Sequence, residues 1–503
     1  MLKSTQTVTA LGLVIQVVGF LRTMMIAAAL GVSVVIDAYN LGIIAPTFIA
    51  TVLGGWLQVG FVGRYAGLVG LGEDVHAADY RTKMLVLVAV IASALAAVCS
   101  FFPEPIMAMF MSGQDVTRTL AADALRIAAW TLVPVLTADF IGLVLNSHGR
   151  FFAAAFAPLL NAVVSILGLW LWPSIDLGSL LWTLLMGAGA QLAFVIWALS
   201  RLQLDYSANL HETRGEVLAT VMVALPILPA IMLANSAAAI IQFQASELGD
   251  GAVSIFGYAS RLHAAVSQIL VMGLSTVLLP HFASLWSRGE TVEIVRLLRI
   301  MARVATLLIG VLTLGIFLMG QDAIALLLGR GAFGREEADA VGRVWAVLSL
   351  GLFPFALGTF IAKLAQATRN TRAILATGFV SFAAVFIVSY VGVQARSIEL
   401  VSASSTVAFA SVLVAWLYWM ARNFEAKPVL MDIGVAALMS APILAFMAVS
   451  EGMTAHLAGD LPLFINLCLR GTAFLTTGAG LVALLGLRGW YFSDAPLPFR
   501  RNN

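Results

Sequence analysis

Two arginines stand in stretches apolar enough to sit in lipid. Residues 17–31 read VVGFLRTMMIAAALG, with Arg22 the only charge in the run; residues 251–271 read GAVSIFGYASRLHAAVSQILV and hold Arg261. One charged residue at the centre of a membrane helix costs about 2.5–3.5 kcal/mol on insertion scales, so it is expected to face a cavity or a partner. A guanidinium offers a planar fork of N–H donors that matches phosphate geometry. Two of them facing one cavity would make a cationic site for a phosphate-bearing group. The competing reading is that each snorkels or pairs with a carboxylate, Asp37 being the obvious candidate. Arg126 follows Asp123 by three residues, so a local ion pair accounts for it. Asp139 has no basic residue within a helical turn; it is either a protonatable coupling site or an acid kept neutral by burial. His263, two residues from Arg261, points to roughly the opposite face of a helix.

Other chemistry is missing from the sequence. None of the four lysines (Lys3, Lys83, Lys363, Lys427) follows a glycine, so there is no phosphate-binding GxxxxGK[ST] loop. His211-Glu212 is followed by Gly215 where HExxH needs its second histidine. No cluster has metal-ligand spacing. The expectation is therefore a protein that is not an enzyme, with no cofactor and no metal, driven by an ion gradient, membrane potential or substrate asymmetry. A net charge of +2 without blocks of like charge argues against a nucleic-acid partner.

The elements that must position these residues follow from composition. The chain has 503 residues, of which 61% are hydrophobic and 11% charged, against about 25% charged in soluble domains. Mean hydropathy is +0.98. This is the composition of an all-α integral membrane protein. A span needs roughly 20 apolar residues, and fourteen stretches qualify: 5–30, 36–62, 84–110, 119–146, 151–173, 178–200, 217–246, 252–280, 300–320, 341–366, 373–393, 399–420, 429–450 and 463–487. The first is expected to be retained rather than cleaved as a signal peptide, since it runs on to Gly31. With the N-terminus inside, nineteen Lys and Arg fall on the inner side and six on the outer, which predicts a multi-pass protein with both termini cytoplasmic. Arg22 then lies about 12 Å and Arg261 about 14 Å from the outer ends of their helices.

The stretch from Pro134, PVLTADFIGLVLNSHGR, resembles PFALGTFIAKLAQATRN from Pro354 at an offset of 220. That spacing predicts two six-helix lobes, 1–205 and 216–421, related by a pseudo-two-fold axis along the membrane normal, with substrate near mid-membrane between them. Residues 422–503 would add two helices and a cytoplasmic tail. Arg296, Arg299 and Arg303 share one helix face and read as an amphipathic anchor for anionic headgroups. Cys99 and Cys468 read as two buried thiols.

The runs GFLRTMMIAAALG with IDAYNLGIIAP, and GAVSIFGYASRL with STVLLP, resemble the first, second and eighth helices of the MurJ (MviN) family. These are lipid II flippases of the multidrug/oligosaccharidyl-lipid/polysaccharide exporter superfamily. The resemblance rests on Gly19, Arg22, Ala27, Gly31, Asp37, Ala38 and Pro46, and on Gly251, Ser254, Tyr258, Ala259, Arg261, Leu262 and Pro280. It implies a V-shaped pair of lobes around a cationic cavity that takes a diphosphate-sugar headgroup, leaving the polyprenyl tail in lipid. Arg22 and Arg261 match family arginines needed for that function, and Asp37 matches a cavity acid. Asp139 is the ion-coupling candidate. Other family arginines fall at Gln16 and Ala50, a helix 8 proline falls at Val266, and an acid implicated in cation binding in some members aligns with Ile241.

The resemblance thus implies an inner-membrane flippase for an undecaprenyl-diphosphate-linked saccharide, working by alternating access. Its partners would be that glycan, membrane lipids, H+ or Na+, and glycan-assembly enzymes. The alternatives are a flippase for an exopolysaccharide repeat unit, a cation-coupled drug antiporter of the same superfamily, or a non-transporting scaffold of a glycan-assembly complex.

Overall fold

A computed structural model describes residues 2–111, 115–202, 204, 214–368, 370–424, 427–459, 461–485, 487 and 490–491. His211-Glu212 and four of the arginines in the charge asymmetry (Arg369, Arg488, Arg500 and Arg501) lie outside the described residues. So do residues 492–503 of the expected tail. Among the described residues there is no strand. In lipid every backbone N–H and C=O must be satisfied inside its own segment, which leaves helices as the economical solution for apolar runs of this length.

Each expected span coincides with helix. They are α1 (Leu2–Leu30), α2 (Val34–Gly70), α3 (Asp74–Phe101), α4 (Val116–Ser147), α5 (Phe151–Leu171), α6 (Leu177–Ser200), a broken α7, and α8 (Ala252–Ser287). The chain continues through α9 (Thr291–Leu328), α10 (Arg335–Ala367), α11 (Thr371–Gln394), α12 (Ile398–Asn423), α13 (Lys427–Leu457) and α14 (Leu463–Leu484). Twelve helices among the described residues are long and apolar enough to cross a membrane, and the chain is a multi-pass membrane protein. The seventh span departs from expectation. It is not one helix but Arg214–Ala224, a 3-10 turn Leu225–Ile227, Leu228–Asn235 and Ala237–Ser246, the last two bent by 46°. Pro226 and Pro229 each remove a backbone donor and crowd the preceding turn, which breaks the hydrogen-bond ladder around Leu225–Ile227; the 46° bend falls further on, at Ser236.

The 220-residue offset reappears in the backbone. Leu132–Ser147 within α4 and Leu352–Ala367 within α10 are both 16-residue helices that begin two residues before a proline. Pro134, Phe140 and Ile141 are buried, as are Pro354, Phe360 and Ile361.

By internal packing the chain divides into two compact units, Met1–Gly257 and Tyr258–Asn503. In the first, α2 packs against both parts of α4, α5 against α6 and α1, and the pieces of α7 against α2. Its core centres on Phe61, stacked on Tyr65 at 4.9 Å and Tyr80 at 5.5 Å and tilted against Phe140 at 4.6 Å. Each such aromatic pair adds about 0.5–1.5 kcal/mol beyond burial.

In the second unit, α11 packs along α12, and α9 along α10 and α13. Small residues allow the closest of these approaches: a Cβ on Gly392 would stand 2.5 Å from the Val401 backbone nitrogen. Helix α14 rests on α13 and α9. It buries few residues, among them Phe474 and Gly478. It is tied down instead by Arg470, which reaches Asp322 of α9 at 2.6 Å, Glu451 of α13, and the Leu318 carbonyl at 3.1 Å. The thin packing of α14 corrects one expectation: Cys99 is buried, but Cys468 is exposed.

Arg303 corrects another. It is 2% exposed, lies 3.5 Å from Asp432, and stacks over the Trp490 ring at 5.1 Å. It therefore cannot share an exposed lipid-facing stripe with Arg296, because α13 and the side chains of Leu487, Trp490 and Tyr491 cover its side of α9.

Candidate functional site

The first unit holds Arg22, Asp37 and Asp139; Arg261 belongs to the second. Arg22 is half-buried in α1, eight residues before the end of that helix. Its Nη2 donates to the Tyr39 hydroxyl at 3.0 Å, and the guanidinium lies 5.8 Å from the centre of the Tyr39 ring. Tyr39 is itself 1% exposed, so its ring is fixed by packing in the first turns of α2. Arg22 Nε is buried and has no hydrogen-bond partner among the described residues. No carboxylate pairs with Arg22 among those residues either. A phenol orients a guanidinium without cancelling its charge, so Arg22 keeps both its positive charge and an unmet donor. Both are what an incoming anion needs.

Asp37 is not the counter-ion. Its carboxylate accepts from the Gly251 N–H at 2.5 Å and the Ser254 N–H at 2.6 Å, and the Ser254 hydroxyl donates to it as well. Helix α8 starts at Ala252, so Asp37 occupies the anion position at its N-terminus, where orphan N–H groups and the helix dipole favour negative charge. Gly251 sits at φ +87, in the left-handed region, and a Cβ there would stand 2.7 Å from Val32. Asp37 therefore fastens the loop 247–251 and the start of the helix that carries Arg261. Arg261 is half-buried and engaged in an interaction of its own.

Asp139 is exposed in α4 and makes no hydrogen bond or ion pair among the described residues. It lines two cavities of the first unit, of about 730 and about 450 Å3, both also lined by Gly54. Their other polar groups are neutral: Thr47, Thr51, Gln58, Asn146, and the amides of Asn161 and Gln191, which bond to each other at 2.8 Å. An acid among hydroxyls and amides can hold a proton or a small cation.

The remaining positions fall as follows. Arg126 pairs with Asp123 at 3.5 Å, as expected, and more closely with Glu104 at 2.7 Å. His263 Nδ1 is buried without a described partner. Gln16 and Val266 are half-buried and Ile241 is buried, while Ala50 lines the smaller cavity. No group of three His, Cys, Asp or Glu that could hold a metal occurs among the described residues.

Sequence reasoning missed Tyr39, the Gly251–Ser254 cradle and the Asn161–Gln191 pair. The two amides had a readable signal. They interrupt apolar spans just as the arginines do, and the same cost argument applies to them at lower magnitude.

Comparison with known proteins agrees with this architecture. A structure titled lipid II flippase MurJ in an inward closed conformation superposes with a TM-score of 0.78, covering 95% of this chain and 99% of that one at 18% identity. An inward-facing multidrug resistance MATE transporter of the MOP superfamily matches with a TM-score of 0.67 over 84% of this chain and 95% of that one, at 13% identity. At such identities these likenesses show the fold alone. A probable lipid II flippase MurJ of Rhizobium meliloti (strain 1021) is 26% identical over 366 residues, 67% of this chain and 65% of that protein. The chain thus spans just under two thirds of that relative. The lipid II flippase MurJ of Burkholderia cenocepacia is 25% identical over 71% of each chain. The family model described as lipid II flippase MurJ matches residues 26–462. The chain belongs to the MurJ family.

Proposed function

We propose that this protein is an inner-membrane flippase that carries an undecaprenyl-diphosphate-linked saccharide, a lipid II-like peptidoglycan precursor, across the bilayer by alternating access. It is a transporter and makes or breaks no covalent bond. The observation that carries the reading is Arg22: a guanidinium inside an apolar helix, oriented by Tyr39, with a buried Nε left unbonded and no carboxylate to neutralise it among the described residues. Arg22 and Arg261 are each assigned to the diphosphate, where a charge-assisted hydrogen bond contributes about 1.5–3 kcal/mol. Asp37, by its bonds to Gly251 and Ser254, acts as a positioning residue for α8 rather than as a ligand. Asp139 is assigned to coupling with H+ or Na+.

The lobes are 1–205 and 216–421, with 422–503 as an appended pair of helices and tail, and both termini lie in the cytoplasm. Glycan-assembly enzymes are the expected neighbours. The test is flipping of labelled lipid II by the purified chain in vesicles. Arg22→Ala and Arg261→Ala, each folded at wild-type level, are expected to lose most activity; near-normal flipping by both would overturn the assignment.

Gln16 and Ala50, which stand where the family carries arginines, favour a second reading in which the cargo is an exopolysaccharide repeat unit. Competition in the same vesicles between lipid II and a lipid-linked polysaccharide unit separates the two. Export of an organic cation, lost on Asp139→Asn, would instead favour a drug antiporter, and no movement of any lipid-linked sugar would leave the scaffold.

A further inference from the structure

A second cationic feature lies in the unit Tyr258–Asn503. The first three turns of α9, the last turn of α12 and the first turn of α13 come together around a cleft of about 590 Å3. Three arginines from two of these helices line it: Arg296 and Arg299 on α9, and Arg422 on α12. Asn423 and Thr291 add polar groups, and Val292, Val295, Phe424 and Pro428 form an apolar side.

The arginines at the cleft differ in how they are engaged. Glu293 pairs with Arg296 at 3.2 Å. Asp432 serves Arg299 at 2.9 Å while also facing the buried Arg303 at 3.5 Å. Arg288 and Glu290 pair with each other at 3.4 Å. Arg422 is exposed, has no ion pair among the described residues, and rests over the Tyr418 ring at 4.9 Å. Arg422 thus brings to the cleft a charge that no carboxylate pairs among the described residues.

The surroundings indicate which kind of anion fits. Trp286 and Trp419 both pack on Phe424, at 5.8 and 5.7 Å, and Trp416 packs on Trp419 at 5.8 Å. Trp286 and Tyr418 are exposed. Clusters of Trp and Tyr at the ends of membrane helices sit at headgroup level, where an aromatic ring has one wet and one apolar side. Val292 on the rim is 83% exposed, an apolar surface beside the arginines that a soluble anion would not use.

We propose that this cleft binds the phosphate of an anionic membrane phospholipid, with Arg296, Arg299 and Arg422 around the headgroup and the Val292–Phe424 side against the glycerol and upper acyl chains. Basic pockets between helices at the membrane surface take anionic headgroups by this combination of charge and apolar contact. The site is distinct from Arg22 and does not depend on what the protein transports.

The experiment uses the full chain in detergent micelles, titrated with phosphatidylglycerol or phosphatidylcholine and read by native mass spectrometry. Phosphatidylglycerol is expected to bind several-fold more tightly than phosphatidylcholine. Arg422→Gln is expected to lower that preference about fivefold, the contribution of one basic side chain near a headgroup, and Val292→Glu to remove it. Neither side chain forms an ion pair among the described residues, so both variants are expected to keep the wild-type melting temperature. Unchanged preference in both variants would overturn the proposal. Displacement of the lipid by millimolar inorganic phosphate would also overturn it, in favour of a soluble phosphate site.

Discussion

Arg22 and Arg470 are both arginines inside apolar helices, and their surroundings are opposites. Arg470, at the edge of the second unit, is met by two carboxylates and a backbone carbonyl. Asp322 is in turn shared with Arg335 at 2.8 Å, so the network is closed by a second cation. Arg22, in the first unit, is met by one phenol and keeps a buried donor unbonded. Both arrangements bear the cost of intramembrane charge. Only the first recovers it within the fold. Arg470 is thus explained by architecture, fastening a helix that buries little surface of its own. The local fold leaves the charge of Arg22 unmet, which is what the proposed anionic ligand would supply.

Substitution at the two positions gives the sharpest contrast. Arg470→Ala leaves Glu451 buried without a partner and is expected to cost about 3–5 kcal/mol of stability, read as a large drop in the melting temperature in detergent. Transport per folded molecule should change little. Arg22→Ala is expected to reverse the pattern: flipping falls roughly 10–100-fold, the loss of one or more charge-assisted bonds to phosphate, while the melting temperature holds. If Arg22→Ala unfolds the protein as Arg470→Ala does, the two arginines are the same kind of residue and the contrast fails.

Asp37→Asn comes next in size. The amide keeps the shape but loses the charge that the N-terminus of α8 favours, and it turns a donor toward the Gly251 or Ser254 N–H. The expected loss is about 2 kcal/mol of stability, with a matching fall in flipping because α8 is no longer held. Were Asp37 a direct partner of Arg22, the same change would alter flipping with stability intact. Tyr39→Phe is smaller again. It removes one hydrogen bond that a charged guanidinium donates to a neutral phenol, about 1.5 kcal/mol, and should weaken lipid II binding a few-fold by letting the guanidinium swing. A wild-type binding constant for this variant would show that Tyr39 does not orient Arg22.

Legibility in the sequence followed the range of the physics. Twelve of the fourteen expected spans were readable because a 20-residue apolar run is a local property, whereas the break in α7 went unread although Pro226 and Pro229 mark part of it locally. Arg22 and Arg261 stood out because intramembrane charge is costly wherever it occurs. The role of Asp37 was hidden, since the groups that take up its charge, Gly251 and Ser254, lie more than 200 positions away. Sequence proximity to Arg22 suggested an ion pair that the fold does not make. The cleft at Arg299 was half visible. The basic face of α9 was evident, but its third arginine arrives from α12 and its carboxylate, Asp432, from α13. Arg303 was misread for the same reason: helical periodicity placed it on the basic face, while α13 and Trp490 buried it.

A third arginine offers the finest test of what a phenol does for a guanidinium. Arg81 is buried and donates to the Tyr65 hydroxyl at 3.3 Å, and that hydroxyl lies 2.9 Å from His148 Nε2. With its oxygen receiving the Arg81 proton, the Tyr65 O–H is free to donate to His148, which requires a neutral imidazole at Nε2. Burial, and then the Arg81 charge, hold the His148 pKa below its ordinary 6.5, with Asp74 opposing. Above that value the imidazole is neutral in both folded and unfolded chains, and the contribution to stability is complete. As pH falls through 6.5, the unfolded chain binds a proton that the folded chain refuses, so stability declines until the lower folded value is passed. His148 is only partly buried, and solvent screening keeps the loss under about 1 kcal/mol. A melting temperature that drops slightly between about pH 7 and pH 5, and a His148→Gln variant that flattens the drop, are expected. An equal drop in the variant would mean that a group other than His148 carries the pH dependence.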